Sequence, residues 1–68
     1  MWKVKPDGNA FNDSTGEEIY MKLDSDKIVR VYRNHKAINF FKSVKKAKIF
    51  ISEFCGFLND LKPRNTES

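Results

Sequence analysis

The chain has 68 residues, of which 40% are hydrophobic, 13% aromatic and 32% charged. This length allows one small hydrophobic core and excludes a large substrate-enclosing cleft, while the apolar content excludes a disordered chain. Thirteen Lys and Arg against nine Asp and Glu give a formal net charge of +4, which favours encounters with polyanions.

The first part of the chain predicts short strands separated by turns. Residues 2–5 alternate apolar and basic side chains, and turn-forming residues follow at positions 6–9 and 12–16. Whether residues 2–11 join a sheet stays open at this point. Residues 18–23 alternate apolar and polar side chains, which predicts a half-buried strand.

Residues 28–33 predict a second clear strand, because they are rich in β-branched and aromatic side chains. A three-residue loop at positions 25–27 would set Leu23 opposite Val29. With the same spacing, Met21 would lie opposite Val31.

A third strand is predicted after a two-residue turn at Asn34 and His35. This turn would set Val31 opposite Ile38 and would place Phe40 on the same face, opposite Val29. The three strands would then share one apolar face.

A helix is predicted from Val44 to near Leu61, with Ser43 as its N-cap and Pro63 blocking its continuation. Its apolar residues recur at three- and four-residue steps and form a stripe that can cover the sheet. The stripe consists of Val44, Ala47, Ile51, Phe54, Leu58 and Leu61. The predicted fold class is α+β, an antiparallel meander of three to five short strands packed against one C-terminal helix.

The predicted organisation is a single domain over residues 1–62 with a flexible tail at residues 63–68. The single cysteine, Cys55, cannot form an intramolecular disulfide and is expected to be a small buried hydrophobe, which favours a cytoplasmic location. We expect no signal peptide and no membrane segment, since no apolar run is long enough.

The predicted register places basic and aromatic side chains together on the sheet face that the helix leaves uncovered. Lys22 would lie opposite Arg30 and Tyr20 opposite Tyr32, and adjacent like charges are destabilising unless an anion lies over them. Nucleic acid supplies both the phosphates and the bases that such a face would bind. The alternative is an ordinary solvated face. The residues of this predicted face are Tyr20, Lys22, Arg30, Tyr32, Asn39 and Phe41.

Four lysines surround the predicted start of the helix, where acidic side chains would be more favourable. The free backbone amides of a helix N-terminus attract phosphate, and lysines would add to that attraction. The alternative is a set of solvated lysines. These helix-start lysines are Lys42, Lys45, Lys46 and Lys48.

Several apolar residues lie beside the helix stripe and could form a protein interface. Phe50 and Phe57 lie on one flank, where packing against the sheet edge is favoured over an interface. Ile49 lies further round and has no obvious partner within the domain, so a homodimer or another protein could cover it. Phe41 is a further interface candidate on the sheet.

The sequence offers no constellation for catalysis. His35 has no neighbouring carboxylate and reads as a turn residue, while Asp24 and Asp26 lack the spacing of a calcium loop. We therefore expect no enzyme activity, no cofactor and no metal.

Residues 31–43, VYRNHKAINFFKS, followed by Ala47, Phe50 and Ile51, resemble the hairpin-then-helix ending of many small phage and mobile-element proteins. A similar plan occurs in the arm-binding domains of tyrosine-recombinase integrases, which contact DNA with a three-stranded sheet. The resemblance is architectural, and no functional residue is carried over from it.

Two hypotheses follow for function. The first is a non-enzymatic protein that binds DNA or RNA through the basic and aromatic sheet face and the helix-start lysines. The alternative is a phage-type inhibitor or regulator that binds a host protein complex. A homodimer is compatible with both.

Overall fold

The computed structural model describes residues 1–61, which form a five-stranded antiparallel sheet covered on one face by a helix. Strands that follow one another along the chain are neighbours in the sheet, so the sheet is a meander. The elements are β1 Trp2–Val4, β2 Ala10–Asn12, β3 Glu18–Leu23, β4 Val29–Arg33, β5 Lys36–Phe41 and α1 Val44–Asp60. The predicted α+β fold class is confirmed. The predicted tail at 63–68 lies outside the described residues.

The first segment joins the sheet, which answers the question that the sequence left open. β1 pairs with β2, and the Trp2 side chain is only 7% exposed. Asn59 of α1 accepts from the Trp2 N–H at 2.9 Å and donates to the Trp2 carbonyl at 3.2 Å. This side-chain amide satisfies the backbone groups of Trp2 at the edge of the sheet, where unpaired groups would otherwise be open to another strand.

The β3–β4 hairpin has the predicted register. Leu23 lies opposite Val29 and Met21 lies opposite Val31. Lys27 in the connecting loop has a φ of 65°, a left-handed conformation that reverses the chain within three residues.

The β4–β5 hairpin departs from the predicted register. Asn34 and His35 have φ values of 54° and 70°, as a two-residue turn with the twist of a hairpin requires, so the predicted turn is confirmed. The register shifts between Val31 and Tyr32, and Ile38 of β5 has no partner on β4. Beyond this β-bulge, every residue of β5 is displaced by one position.

The pairs predicted beyond the bulge, Val31 with Ile38 and Val29 with Phe40, are therefore wrong. Val31 lies opposite Asn39, and Val29 lies opposite Phe41.

The helix begins where the sequence predicts. The Ser43 hydroxyl accepts from the Lys46 N–H at 3.3 Å, which confirms Ser43 as the N-cap. Helix α1 ends at Asp60, and Val44 and Leu61, at the two ends of the predicted stripe, are exposed. Cys55 is buried as expected, and burial raises the pKa of its thiol.

The core lies between the helix and one sheet face. The helix contributes three buried side chains, and the sheet contributes five from β1, β2, β3 and β4. The buried residues are Trp2, Ala10, Ile19, Val29, Val31, Ala47, Ile51 and Cys55. Within residues 1–61, no helix is long and apolar enough to cross a membrane.

Candidate nucleic-acid interface

The sheet face turned away from α1, called the outer face below, carries the predicted tyrosine pair. Because side chains alternate along a strand, Tyr20 and Tyr32 point away from the buried Ile19 and Val31. The two residues are cross-strand partners, and their rings stack with centroids 5.3 Å apart and planes 11° from parallel. Such a pair is a rigid aromatic surface, because each ring restricts the other.

Two further side chains adjoin the tyrosine pair. The Tyr20 hydroxyl and His35 Nδ1 are hydrogen-bonded, 3.0 Å apart. The Lys22 ammonium lies 6.0 Å from the centre of the Tyr32 ring, at the limit of a cation–π contact. Lys22 is exposed and lies outside the ion pairs found among residues 1–61.

Arg30 lies opposite Lys22 as predicted, but its charge is already neutralised. Its guanidinium contacts the carboxylate of Asp24 at 2.6 Å and that of Asp26 at 2.9 Å. Hydrogen bonds from Arg30 hold the pKa of Asp26 below its usual value, and the two carboxylates raise the pKa of Arg30. The predicted need for an anion over the Lys22–Arg30 pair is therefore wrong, because two residues read from sequence as turn formers supply the negative charge.

Asn39 and Phe41 were predicted on the outer face, and the bulge makes this prediction wrong. Both lie opposite buried valines, and cross-strand partners share a face of the sheet. Phe41 packs against the core, with its ring 5.4 Å from that of Phe50. Phe40 takes its place on the outer face opposite Arg30, and its side chain is 67% exposed.

Three of the helix-start lysines, Lys45, Lys46 and Lys48, belong to α1 and lie on the other side of the sheet from the tyrosine pair, while Lys42 precedes the helix. All four are exposed, and none takes part in an ion pair among residues 1–61. The first turn of α1 contains no acidic residue. The stem of Lys48 passes over Gly8, where an added Cβ would approach Lys48 Cγ to 2.6 Å. Lys48 is therefore turned toward the β1–β2 turn.

The two predicted surfaces come close in sequence at the corner where β5 leads into α1. Phe40 lies in the outer-face row with Lys22 and Arg30, and Lys42 follows it by two residues, a distance of at most roughly 7 Å along the chain. Lys42 is thus the helix-start lysine nearest in sequence to the outer face.

Of the three predicted interface residues on the helix, one is packed against other aromatic rings and two are exposed. Phe50 is half-buried between Phe41 and Phe54, with both ring centroids 5.4 Å away. Phe57 is 56% exposed at the end of this aromatic row, 6.4 Å from the Phe54 ring. Ile49 is 50% exposed and has no place in the core.

Sequence reasoning missed two features of the outer face. Phe40 was assigned to the core because Phe40 and Phe41 are adjacent, and an alternating pattern cannot decide which of two neighbouring aromatics points inward. The ion pairs of Arg30 with Asp24 and Asp26, called the clamp below, were also missed. Asp26 is four residues away from Arg30, which is close enough in sequence to suggest a pair. Within residues 1–61, no group of His, Cys, Asp and Glu side chains is close enough to hold a metal ion.

The fold and surface define a class, a small α+β domain with one helix-covered and one uncovered sheet face. No protein-family model matches the chain, and neither a curated protein nor a solved structure is significantly similar to it. The resemblance to integrase arm-binding domains stays a prediction.

Proposed function

We propose that the protein is a small, non-enzymatic nucleic-acid-binding protein of the cytoplasm. The observation that carries the proposal is the outer face, where stacked Tyr20 and Tyr32 lie together with exposed Phe40 and with Lys22, which is unpaired within residues 1–61. Aromatic rings that stack on bases, together with cations that pair with phosphates, are the combination used by sheet-based binders of single strands.

The distribution of charge supports different contacts at the two surfaces, with bases at the outer face and phosphates at the helix start. The outer face offers aromatic contacts and the cation of Lys22, while Arg30 is held by its carboxylates. Four of the eight Lys and Arg side chains of residues 1–61 that lie outside ion pairs are instead at the helix start, in a region without acidic first-turn residues. A strand that contacts Phe40 and then crosses the corner at Lys42 would reach both surfaces.

The test is a titration with mixed-sequence single- and double-stranded DNA and RNA at about 50 and 200 mM salt, the range in which phosphate contacts become visible. We expect single strands to bind and the affinity to fall steeply with salt. Lys42→Ala and Lys46→Ala should each reduce the slope of log affinity against log salt by about 0.7. Tyr32→Ala should weaken binding with little change in slope, because stacking releases no counterions.

Lys36→Ala is the matched control. Lys36 is also exposed and outside the ion pairs of residues 1–61, but it begins β5, roughly 20 Å from Lys42 along an extended strand. Its loss should leave the slope unchanged. Absence of binding at the lower salt concentration would refute the proposed function.

A protein-binding regulator, including a phage-type inhibitor of a host complex, is the second candidate. The observation in its favour is β5, an edge strand on which every residue except Phe41 is exposed. Ile38 and Phe40, at 40% and 67% exposure, could anchor a partner there. If no nucleic acid binds, this candidate becomes the better account, and a homodimer through Ile49 stays a prediction of the same kind.

A further inference from the structure

The two edges of the sheet are closed to different degrees. At β1, the Asn59 side chain of α1 satisfies both the N–H and the carbonyl of Trp2, at 2.9 and 3.2 Å. At β5, the backbone makes one hydrogen bond outside its ladder with β4 among residues 1–61, from the Phe40 N–H to Asn39 Oδ1 at 2.8 Å. Because Asn39 is exposed, this bond can be exchanged at little cost, whereas the Asn59 bonds are partly buried. β5 is therefore the edge to which another strand can add.

A row of aromatic rings runs alongside β5, on the side of the sheet that α1 covers. The row begins at Phe41, the last residue of β5, whose ring centroid lies 5.4 Å from that of Phe50. It continues along α1 through Phe54 to Phe57, with centroid separations of 5.4 and 6.4 Å. The Arg33 guanidinium lies 6.0 Å from the Phe54 ring, and Arg33 pairs with the first residue of β5. The aromatic row therefore extends from one end of β5 toward the other.

The space between the aromatic row and β5 is open. Phe41 is the residue of β5 that packs on the core cluster, and Asn39 is exposed although it lies opposite the fully buried Val31. The helix therefore covers β4 and leaves the same face of β5 largely uncovered. A strand added to β5 would lie about 4.8 Å beyond it, and its alternate side chains would face the aromatic row. Phe57, which is 56% exposed, would be covered by this contact.

Charge favours an acidic peptide over a second copy of the chain at this edge. Lys36 begins β5, Lys42 follows its last residue, and Lys46 lies four residues before Phe50 on the same flank of α1. All three lysines are exposed and outside the ion pairs of residues 1–61, while Glu53 offsets part of their charge. Two β5 strands paired antiparallel about their midpoint would set Lys36 of one copy opposite Lys42 of the other. Like charges in facing positions repel, and lysines at an edge strand oppose self-association in this way.

We infer that β5 binds an extended peptide of a partner protein, which adds to the sheet as a sixth strand. The peptide carries apolar side chains at alternate positions, which face the aromatic row, and acidic side chains near its ends, which pair with Lys36 and Lys42. Asn39 releases the Phe40 N–H to a carbonyl of the peptide. The aromatic row lies on the other side of the sheet from the tyrosine pair, so the inference does not depend on the proposed function. It gives the second candidate a partner class and a mode of binding.

The probe is a synthetic peptide as long as residues 36–42, with alternating Val and Thr between two terminal Glu residues. It is titrated into nitrogen-labelled protein, and the backbone amide resonances are followed. We expect the resonances of β5 to move, with the Phe40 amide among them, at peptide concentrations up to about 1 mM. The same peptide with Lys at both ends should bind roughly two- to tenfold more weakly, because two attractive cross-strand pairs become repulsive.

Backbone methylation separates strand addition from apolar contact alone. In a strand, the N–H groups of successive residues point to opposite edges, so methylation of the Val amides and methylation of the Thr amides block different edges of the peptide. An added strand uses one edge only. One methylated peptide should therefore bind like the parent, and the other should lose binding.

Substitutions in the protein test the two kinds of contact. Phe57→Ala should weaken the Glu-ended peptide by roughly fivefold, as expected for an apolar anchor. Ile49→Ala is the matched control, because Ile49 is a similarly exposed apolar residue of α1 that lies outside the aromatic row. Asn39→Ala should strengthen binding by roughly two- to tenfold, because the Phe40 N–H then has no competing side-chain acceptor.

Four outcomes overturn the inference. They are the absence of β5 shifts at about 1 mM peptide and equal losses from the two methylated peptides. Movement of the β5 resonances when the protein alone is concentrated would assign the edge to a second copy, and displacement of the peptide by oligo(dT) would assign it to nucleic acid. The first two outcomes leave the proposed function standing, since Tyr32→Ala tests the tyrosine pair separately.

Discussion

The two hairpins that share β4 differ in how their registers are set. In the β3–β4 hairpin, every pair from Ile19 with Arg33 to Leu23 with Val29 is regular. In the β4–β5 hairpin, the pairing is regular for two residues after the turn and then shifts by one. In both hairpins the residues next to the turn pair as predicted, so the difference arises within β5 and not at the turn.

The hydrophobic pattern of each strand explains this difference. In β3, apolar Ile19, Met21 and Leu23 alternate with polar residues, so only one register buries them together. In β5, apolar side chains occupy neighbouring positions of both parities, in the order Ala37, Ile38, Asn39, Phe40, Phe41. Each of two registers turns one phenylalanine inward, Phe40 without the bulge and Phe41 with it, and the bulged register of the structure brings Phe41 against Phe50.

The largest expected effect comes from deleting one residue in each hairpin. Deletion of Tyr20 from the regular β3 strand should prevent folding or cost more than about 3 kcal/mol, because the residues on one side of the deletion would reverse their faces. Deletion of the unpaired Ile38 should cost less than about 1 kcal/mol, because it converts the bulge into a regular ladder and keeps Phe41 inward. Chemical denaturation of the two variants measures both values.

The deletion of Ile38 also has a clear opposite outcome. If β5 lacked a bulge, Phe40 would point inward, and removing Ile38 would reverse the faces of Phe40 and Phe41 and would be as damaging as removing Tyr20. Equal losses in the two variants would therefore contradict the bulged register of β5.

The second prediction sharpens the comparison at two adjacent aromatic residues. Phe41→Ala should destabilise the domain by about 2 to 4 kcal/mol, since it removes a ring that packs on the core cluster. Phe40→Ala should change the unfolding free energy by less than about 0.5 kcal/mol, because the side chain is 67% exposed. The unbulged register predicts the reverse order, so denaturant midpoints of this matched pair distinguish the two registers.

Much of the fold follows from the sequence because local signals agree with it. The turn at Asn34 and His35, the N-cap at Ser43 and the helix stripe around Ala47 and Ile51 are each set by interactions within a few residues. The burial of Trp2 could not be predicted in this way, because it depends on contacts with Asn59 at the far end of the chain. The bulge was missed because it is decided by packing against the helix.

The candidate site could be predicted from the sequence where it lies on the regular β3–β4 hairpin, and could not be predicted where it lies on β5. The Tyr20–Tyr32 and Lys22–Arg30 pairs depend only on the register of the regular hairpin, and the structure has them. The assignments of Asn39 and Phe41 depend on β5 and fail with its register. The neutralisation of Arg30 could not be derived from register, because it depends on where the β3–β4 loop directs its carboxylates.

The smallest expected effect concerns this clamp, which ties the β3–β4 loop to its strand. Hydrogen bonding to Arg30 lowers the folded-state pKa of Asp26 below the value of 3.8 for an unperturbed carboxyl. A carboxyl whose pKa is lower when folded contributes stability above its unfolded pKa and loses that contribution as the pH falls through its folded pKa. The melting temperature should therefore fall as the pH is lowered from about 5 to about 2.

Arg30→Met should be less stable near neutral pH and should lose less on acidification, because the pKa of Asp26 returns toward its usual value. The loss of melting temperature on acidification should become smaller without disappearing, because two other carboxyls also have lowered pKa values. The N-terminal ammonium and Lys3 lower the pKa of Asp13, and Asn34 and Arg33 lower the pKa of Glu17. Lys22→Met, on the facing strand and outside the ion pairs of residues 1–61, is the control and should keep the wild-type profile. Parallel melting curves for wild type and Arg30→Met across this pH range would show that the clamp does not hold the loop in solution. Arg30 would then be free to bind phosphate, and the outer face would offer the Arg30 guanidinium as well as the Lys22 ammonium.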